Sequence, residues 1–515
     1  MKVACFGCLV CLLFASFAFG QTDDTSNGQS LGDISRKLRK DHTEEVKMTE
    51  EDTKKLLGSV DELLTFAAED SGFPKHSEVK SRLVGSADVE KFTRERLAKE
   101  EYTQRFERAE WTMKKFGLLP KNFNLREFIV KANGKGIAGY YDEDTKSISL
   151  LNWIPVDKQA PILAHELTHA LQDQNYDLKK WQTVSKGDAA GNDDGGSARH
   201  AVVEGQAMVV FFDFLLAKVG RNLKNTPGLV YSMEDPAVKA TVDSQLLHDA
   251  PMILREAGTF PYRSGLIFEG ELLQAGGKEK AFAGAFARPP RTTHEVLQPH
   301  AYIENEKLQP IRLPDWKPAV GSNYEIYETG GIGELDVRAL LKQFGNRKIA
   351  DNVAAGWQGG SYATFRKLPS AGEPSSTGDL ALFYISRWKS PQEAERFARL
   401  FAGAVTQRYQ QVTPQEVAAC TGAHCPGFFA YNLTEEGRVS VDQFAETVVV
   451  CESFDDETAG KLRSAWQQTS SDVRADERMP EEFGLRLANL PEFAAFQAEI
   501  GRRILNEIVG NSGLR

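Results

Sequence analysis

The stretch LAHELTHALQDQ, residues 163–174, sets the tightest constraint on how this chain can fold. His165 and His169 are four residues apart, so on a helix both imidazoles leave the same face about one turn apart and can share a single ion. Glu166 stands beside the first histidine and can take a proton from a water at an open coordination position without binding the ion itself. Leu163, Leu167 and Leu171 fall on packing positions, and Ala164 and Ala170 favour helix, so the spacing predicts a helix here. The bland alternative is a helix that happens to carry two histidines. Its surroundings oppose that: a hairpin lies directly before it and an apolar helix with a further candidate ligand follows.

The hairpin is GIAGYYDEDTKSISLL, residues 136–151, two alternating runs about the turn-forming DEDTK. Its SISLL run is expected as an edge strand along which an extended peptide can add. Beyond a Gly/Asp-rich loop, where Asp193 and Asp194 read as loop and cap residues, a long apolar helix is expected from about Ser197 to Val219. It carries Glu204 among Ala, Val, Met and Phe, where a carboxylate is costly unless paired or metal-bound. Glu204 is therefore the candidate third ligand, with a salt bridge to Arg199 as the alternative. His200, four residues earlier on the same face, is a rival ligand, a partner to the ligands or a transition-state donor. Asp173, four residues past His169, is placed to orient that ring. Tyr262, His294 and His300 lie in later segments that can fold over the site as donors to a transition state.

The remaining sequence organises around this centre. At 515 residues, two or three domains are expected. A formal charge of −10 with no basic block interleaved with aromatics excludes a nucleic-acid binder. The first twenty residues, one lysine then an apolar run ending in small residues, read as a signal peptide cleaved after Gly20, so the protein is expected to be secreted or periplasmic, with no stable membrane span afterwards. Residues 21–49 are polar and read as a flexible leader. Helices are expected from Glu50 and over about Asp88 to Phe116, with a removable pro-segment as the functional alternative for this part. Residues 236–308 read as helical with proline breaks at FPY and at ARPPRTTHEVLQPHAY. A composition shift near Pro310 to Gly321 marks a boundary. Beyond it ALFYISRW is a strand, SPQEAERFARLFAGAV a helix, GFFAYNL and ETVVVCES strands around a polar hairpin, and DDETAGKLRSAW a helix, an order that suggests a ferredoxin-like half. A last amphipathic helix is expected over about Pro491 to Val509. Three cysteines remain after the signal, Cys420, Cys425 and Cys451, which suggests one disulfide and one free thiol.

LAHELTHALQDQ, with VEGQA after it and GIAGYYD before it, resembles the zincin metallopeptidases of gluzincin type, and closely resembles a group of secreted bacterial proteins of poorly defined function. A metzincin would continue H-x-x-G-x-x-H, but Gln172 and Asn175 stand at those positions. Similar stretches recur in order over roughly residues 115 to 400: FGLLP, the aGyYD hairpin, HELTHALQDQ, EG-x-A, PY-x-x-G (Pro261, Tyr262, Gly265), the segment from Pro289 to Tyr302, and a GE helix (Gly333, Glu334). The resemblance implies Zn²⁺ held by His165, His169 and Glu204, with Glu166 as general base. This chain departs from it twice. Position 208, where gluzincins often place an orienting acid, is Met, and where relatives show S-T-E-x-x-L-H-P this chain has Thr292, Thr293, His294, Leu297, Gln298 and Pro299.

The expectation is thus an α+β chain: a zincin-like, mostly helical metallopeptidase domain with a small β-sheet over residues 50–315, then a smaller α+β, ferredoxin-like domain over 316–515. The expected activity is hydrolysis of a protein or peptide by a zinc-activated water. The alternatives are a zinc-stabilised extracytoplasmic scaffold without hydrolytic activity and an amidase acting on cell-wall material.

Overall fold

The computed structural model describes residues 49–84, 100–133, 140–142, 145–151, 156–182, 193–234, 250–308, 311, 313–368, 374–416 and 425–471. The signal peptide, residues 21–48 of the leader, residues 85–99, residues 236–249 of the expected helical stretch, Cys420 and the expected last helix lie outside the described residues. Helix α1 (Glu50–Ser71) begins where the sequence predicts: Thr49 Oγ1 accepts from the Asp52 amide at 3.1 Å, acidic residues fill the first turn, and Gly72 ends it at φ 77°. After strand β1 (Lys80–Val84) comes helix α2 (Glu100–Phe116), then the hairpin β2 (Tyr140–Asp142) and β3 (Ser147–Leu151), antiparallel with Tyr141 opposite Ile148. SISLL is not an edge. β1 pairs with it in parallel, giving the order β1-β3-β2, so β2 is the strand left at the edge beside the histidine helix. The run KSRLV that supplies β1 lacks the clean alternation that would reveal a strand.

Helix α3 (Val156–Tyr176) carries the two histidines, and α4 (Asp193–Ala217) carries Glu204. By length and composition α4 could cross a membrane, but 72% of its apolar window is buried inside the fold. It is apolar on all sides because α1, α3 and α5 (Met252–Glu279) surround it. The expected break at FPY does not occur. α5 runs through Pro261, its packing on α4 outweighing the lost hydrogen bond. The helix instead kinks at Gly277, φ 70°, and continues as a π-helical turn, Lys280–Gly284. Two short helices follow, α6 (Thr293–Leu297) and α7 (Pro299–Ile303).

The C-terminal part is one antiparallel sheet. Strand β4 (Tyr324–Gly331) and helix α8 (Glu334–Phe344) lead into β5 (Trp357–Lys367), β6 (Leu380–Trp388), helix α9 (Pro391–Arg408), β7 (Val412–Pro414), β8 (Phe428–Thr434), β9 (Gly437–Phe444), β10 (Thr447–Glu452) and helix α10 (Asp456–Ser471). The sheet order is β4-β5-β6-β10-β9-β8-β7, seven strands, more than a ferredoxin-like half contains. The residues read as a polar hairpin, GRVSVDQF, form β9. Its Val439 and Val441 alternate into the core, while Asp442 is accommodated by Arg463 at 2.9 Å. β6 and β10 are buried on both faces: Leu382, Tyr384, Val448 and Val450 face one cluster, Phe383, Ile385, Val449 and Cys451 the other. The first of these clusters runs without interruption from Leu56 of α1 to Val450 of β10, across the boundary suggested by composition. The chain is a mixed helix and sheet, α+β, fold. Cys425 is disulfide-bonded and Cys451 is a buried free thiol that burial pushes up to about 12.

Candidate metal centre

The site begins as a helix crossing. An added Cβ at Gly205 of α4 would meet the Gly265 backbone at 2.5 Å, and one at Gly265 would meet the Ala201 carbonyl oxygen at 2.3 Å. Only hydrogen at both positions lets the helices touch backbone to backbone. This contact accounts for the EG-x-A and PY-x-x-G stretches, because it sets Glu204, beside Gly205, close to Tyr262, one turn before Gly265.

His165 and His169 present their Nε2 atoms 3.2 Å apart, with the rings edge to face. From α4, Glu204 Oε2 comes within 3.2 Å of His165 Nε2 and 3.5 Å of His169 Nε2. These three side chains, almost wholly buried, could hold a metal ion, and among the described residues no other cluster of His, Cys, Asp and Glu does so. Burial lowers the His165 and His200 imidazoles below the usual histidine range. Burial also opposes ionisation of Glu204, but the neighbouring His169, His165 and His200 outweigh it and hold this carboxylate well below its ordinary range. For His169 burial acts downward, and the charge of Glu204, joined by Glu166, raises it to about 9. His200 Nε2 lies 3.7 Å from Glu204 Oε1 and is not one of the three converging ligand atoms.

Glu166 lies beside this group. Burial pushes its carboxyl up to about 7, against the opposing pull of His169, and its Oε2 accepts from the Tyr141 amide of β2 at 3.1 Å. The edge strand therefore aims a main-chain donor at the site. Tyr262 stacks over His165, ring centroids 6.5 Å apart; burial first, then the charges of Glu204 and Glu166, keep its hydroxyl protonated far above the usual range. Of the three donors considered from sequence, Tyr262 is the one brought here. His300 is exposed on α7. His294 pairs with Glu334 instead, Nδ1 to Oε2 2.6 Å, and Gln298 donates to Glu334 Oε1 at 3.0 Å. Two of the positions at which this chain departs from S-T-E-x-x-L-H-P, His294 and Gln298, thus contact the glutamate of the GE helix. Gly333 of that motif faces Asp194, whose oxygen leaves no room for a Cβ. Asp194 is not a loop residue: it is buried in the first turn of α4, accepts from the Thr293 amide and hydroxyl, and burial raises it to about 7.

The tail of the motif is used residue by residue, and here one expectation is corrected. Asp173 does not orient His169. Its oxygens accept from the Tyr141 hydroxyl at 2.6 Å, Lys146 at 2.5 Å and the Leu178 amide at 3.1 Å, which ties the hairpin to the end of α3. The partner of His169 Nδ1 is Gln172 Oε1, at 2.9 Å. The i+3 and i+4 positions of a helix share a face, and tertiary neighbours decided between them. The sequence carries no signal that separates them, since the full burial of Gln172 is itself a product of the fold. Gln174 binds the His76 and Ser77 amides and Asn175 donates to the Pro74 carbonyl, so both secure the segment after α1.

Residues 324–463 match the family model described as "Domain of unknown function (DUF8575)". No curated protein and no solved structure matches the chain. The matched region is the seven-stranded sheet with its helices; α3, α4 and α5, which build the candidate metal centre, lie before it.

Proposed function

We propose that this chain is a secreted zinc metallopeptidase, of the zincin fold and gluzincin type, in which His165, His169 and Glu204 hold the ion and Glu166 is the general base. One observation carries the reading: two histidine nitrogens and one carboxylate oxygen converge beside a separate glutamate whose carboxyl is held by an edge strand. The donor set suits zinc. Ligand bonds of about 2.0–2.2 Å in a tetrahedron give ligand-to-ligand edges of about 3.3–3.6 Å, close to the separations of 3.2, 3.2 and 3.5 Å found here. Glu204 Oε2 is a buried oxygen without a hydrogen bond of good geometry, as expected of an atom meant for a cation.

Bound there, zinc would supply Lewis acidity that polarises a scissile carbonyl and acidifies a water. Glu166, raised by burial to about 7, is suited to take a proton from the attacking water and pass it to the leaving amine near neutral pH. The outer edge of β2 offers main-chain groups to an extended peptide, with the Tyr141 amide nearest Glu166. Tyr262 donates its hydroxyl proton toward the negative charge that develops on the carbonyl oxygen. The first twenty residues support export, and an unstructured protein is the expected substrate class.

The test is Glu166→Gln. The variant is expected to keep stoichiometric zinc, measured by metal analysis of the purified protein, and to lose hydrolysis of an unfolded protein by roughly 100-fold or more. Full activity in this variant would refute the assignment. Zinc retained by a wild type that hydrolyses neither proteins nor cell-wall amides would favour a scaffold.

A further inference from the structure

We propose that Gln172 is a positioning residue that, backed by Gln206 and the π-helical turn after α5, fixes His169 with its Nδ1 as a donor and its Nε2 open to a cation. The inference rests on the metal site proposed above. It follows from which atoms can only accept. Gln206 Nε2 donates to the carbonyl oxygens of Ala281 and Phe282, at 2.9 and 3.1 Å, both within the turn Lys280–Gly284. Carbonyls cannot donate, so the amide of Gln206 must face them with its NH₂ and turn its oxygen the other way. That oxygen accepts from Gln172 Nε2 at 3.0 Å, and the second hydrogen of the same NH₂ goes to the Val203 carbonyl at 3.0 Å. Both hydrogens of Gln172 are then committed, and its Oε1 is what remains to meet His169 Nδ1 at 2.9 Å. An oxygen there requires the proton on Nδ1.

Reversing either amide would set oxygen against oxygen, and neither has water as an alternative partner, because Gln172 and Gln206 are both fully buried. The polarity of the relay is therefore dictated from its far end, by the backbone of a turn that has left α-helical geometry, and transmitted through two neutral side chains to a metal ligand. With the proton held on Nδ1, His169 Nε2 presents its lone pair to a cation beside Glu204. A neutral acceptor holds the ring in place without adding a further acidic group to a site that already contains Glu204 and Glu166.

The test titrates metal-free wild type, Gln172→Met and Gln206→Met with Co²⁺, reading affinity and the visible absorption of the bound ion, with circular dichroism to verify folding. Gln172→Met is expected to weaken Co²⁺ binding roughly 10- to 100-fold and to shift the absorption band, since loss of a partner to a ligating histidine has effects of that size. Gln206→Met is expected to weaken binding by about 3-fold or more and to shift the band in the same sense. Wild-type affinity and spectrum in folded Gln172→Met would overturn this inference alone; if that variant does not fold, the same result in Gln206→Met overturns it. Failure of wild type to bind Co²⁺ would overturn both the inference and the metal site on which it rests.

Discussion

Glu328 of β4 shows how a single buried carboxyl can govern stability. Its Oε2 accepts from the Thr112 hydroxyl of α2 at 2.6 Å, and burial raises its pKa from about 4.5 to about 7. Below about pH 4.5 the folded and unfolded chains both hold this proton, and the group costs nothing. Between there and about pH 7 the unfolded chain gives up the proton that the fold retains, so stability falls as pH rises. Glu328→Gln, which keeps an acceptor for Thr112, is expected to be more stable than wild type at pH 8 by on the order of 3 kcal/mol. The advantage should vanish at pH 4.5, as urea unfolding at the two pH values would reveal; equal stability at pH 8 would refute it. At this scale the sequence marked His165, Glu166, His169 and Glu204, because their spacing and apolar surroundings are local properties. It did not separate Gln172 from Asp173, since both share a face with His169 and only contacts from the hairpin and from α4 distinguish them.

The decisive contact between elements is the crossing of α4 and α5 at Gly205 and Gly265. Gly205→Ala is expected to lose roughly 1–3 kcal/mol in urea unfolding, because the added carbon meets backbone rather than a movable side chain. Metal affinity should fall with it, as the shift of α4 displaces Glu204 from His165 and His169. Gly58→Ala, in an exposed position of α1 with nothing within 4 Å of the added carbon, should instead be neutral or gain about 0.5–1 kcal/mol from helix propensity. Similar losses in both variants would contradict the close crossing. Long periodic elements were legible: α1, α3, α4, α9 and the hairpin lie where spacing placed them. β9 was not, because its Ser440, Asp442 and Gln443 are buried polar residues, and the Asp442 carboxylate finds its partners on β8 and α10, at Tyr431 and Arg463. Nor was the continuity of α5 through Pro261.

Across the whole molecule, α2 binds the helical part to the sheet. Phe116 packs edge to face on Tyr362 and Tyr384. Beside it the buried Lys115 Nζ donates to the Thr377 carbonyl, Glu436 and Ser453 Oγ at 2.8–3.0 Å, with Glu452 at 3.4 Å. Arg408 of α9 pairs with Glu452 in turn. Removing Lys115 takes away the cation that Glu436 and Glu452 share and leaves them only Lys121 and Arg408, so Lys115→Met is expected to cost about 3–5 kcal/mol. With one core continuous through both parts, calorimetry should show a single shifted transition for helices and sheet together; a variant that melts the sheet separately would contradict that.

What the sequence by itself determined is the local chemistry: a helix with two histidines on one face, a glutamate beside them, and a second helix too apolar to carry a carboxylate without a partner. These follow from periodicity and from the cost of burying charge, which neighbouring residues alone reveal. Only the tertiary structure decided that β2 is the edge strand facing LAHELTHALQDQ, that Tyr262 is the hydroxyl beside Glu204, and that Gln172 orients His169. Each depends on residues far apart in the chain meeting at van der Waals or hydrogen-bonding distance, and such meetings leave no period in the sequence.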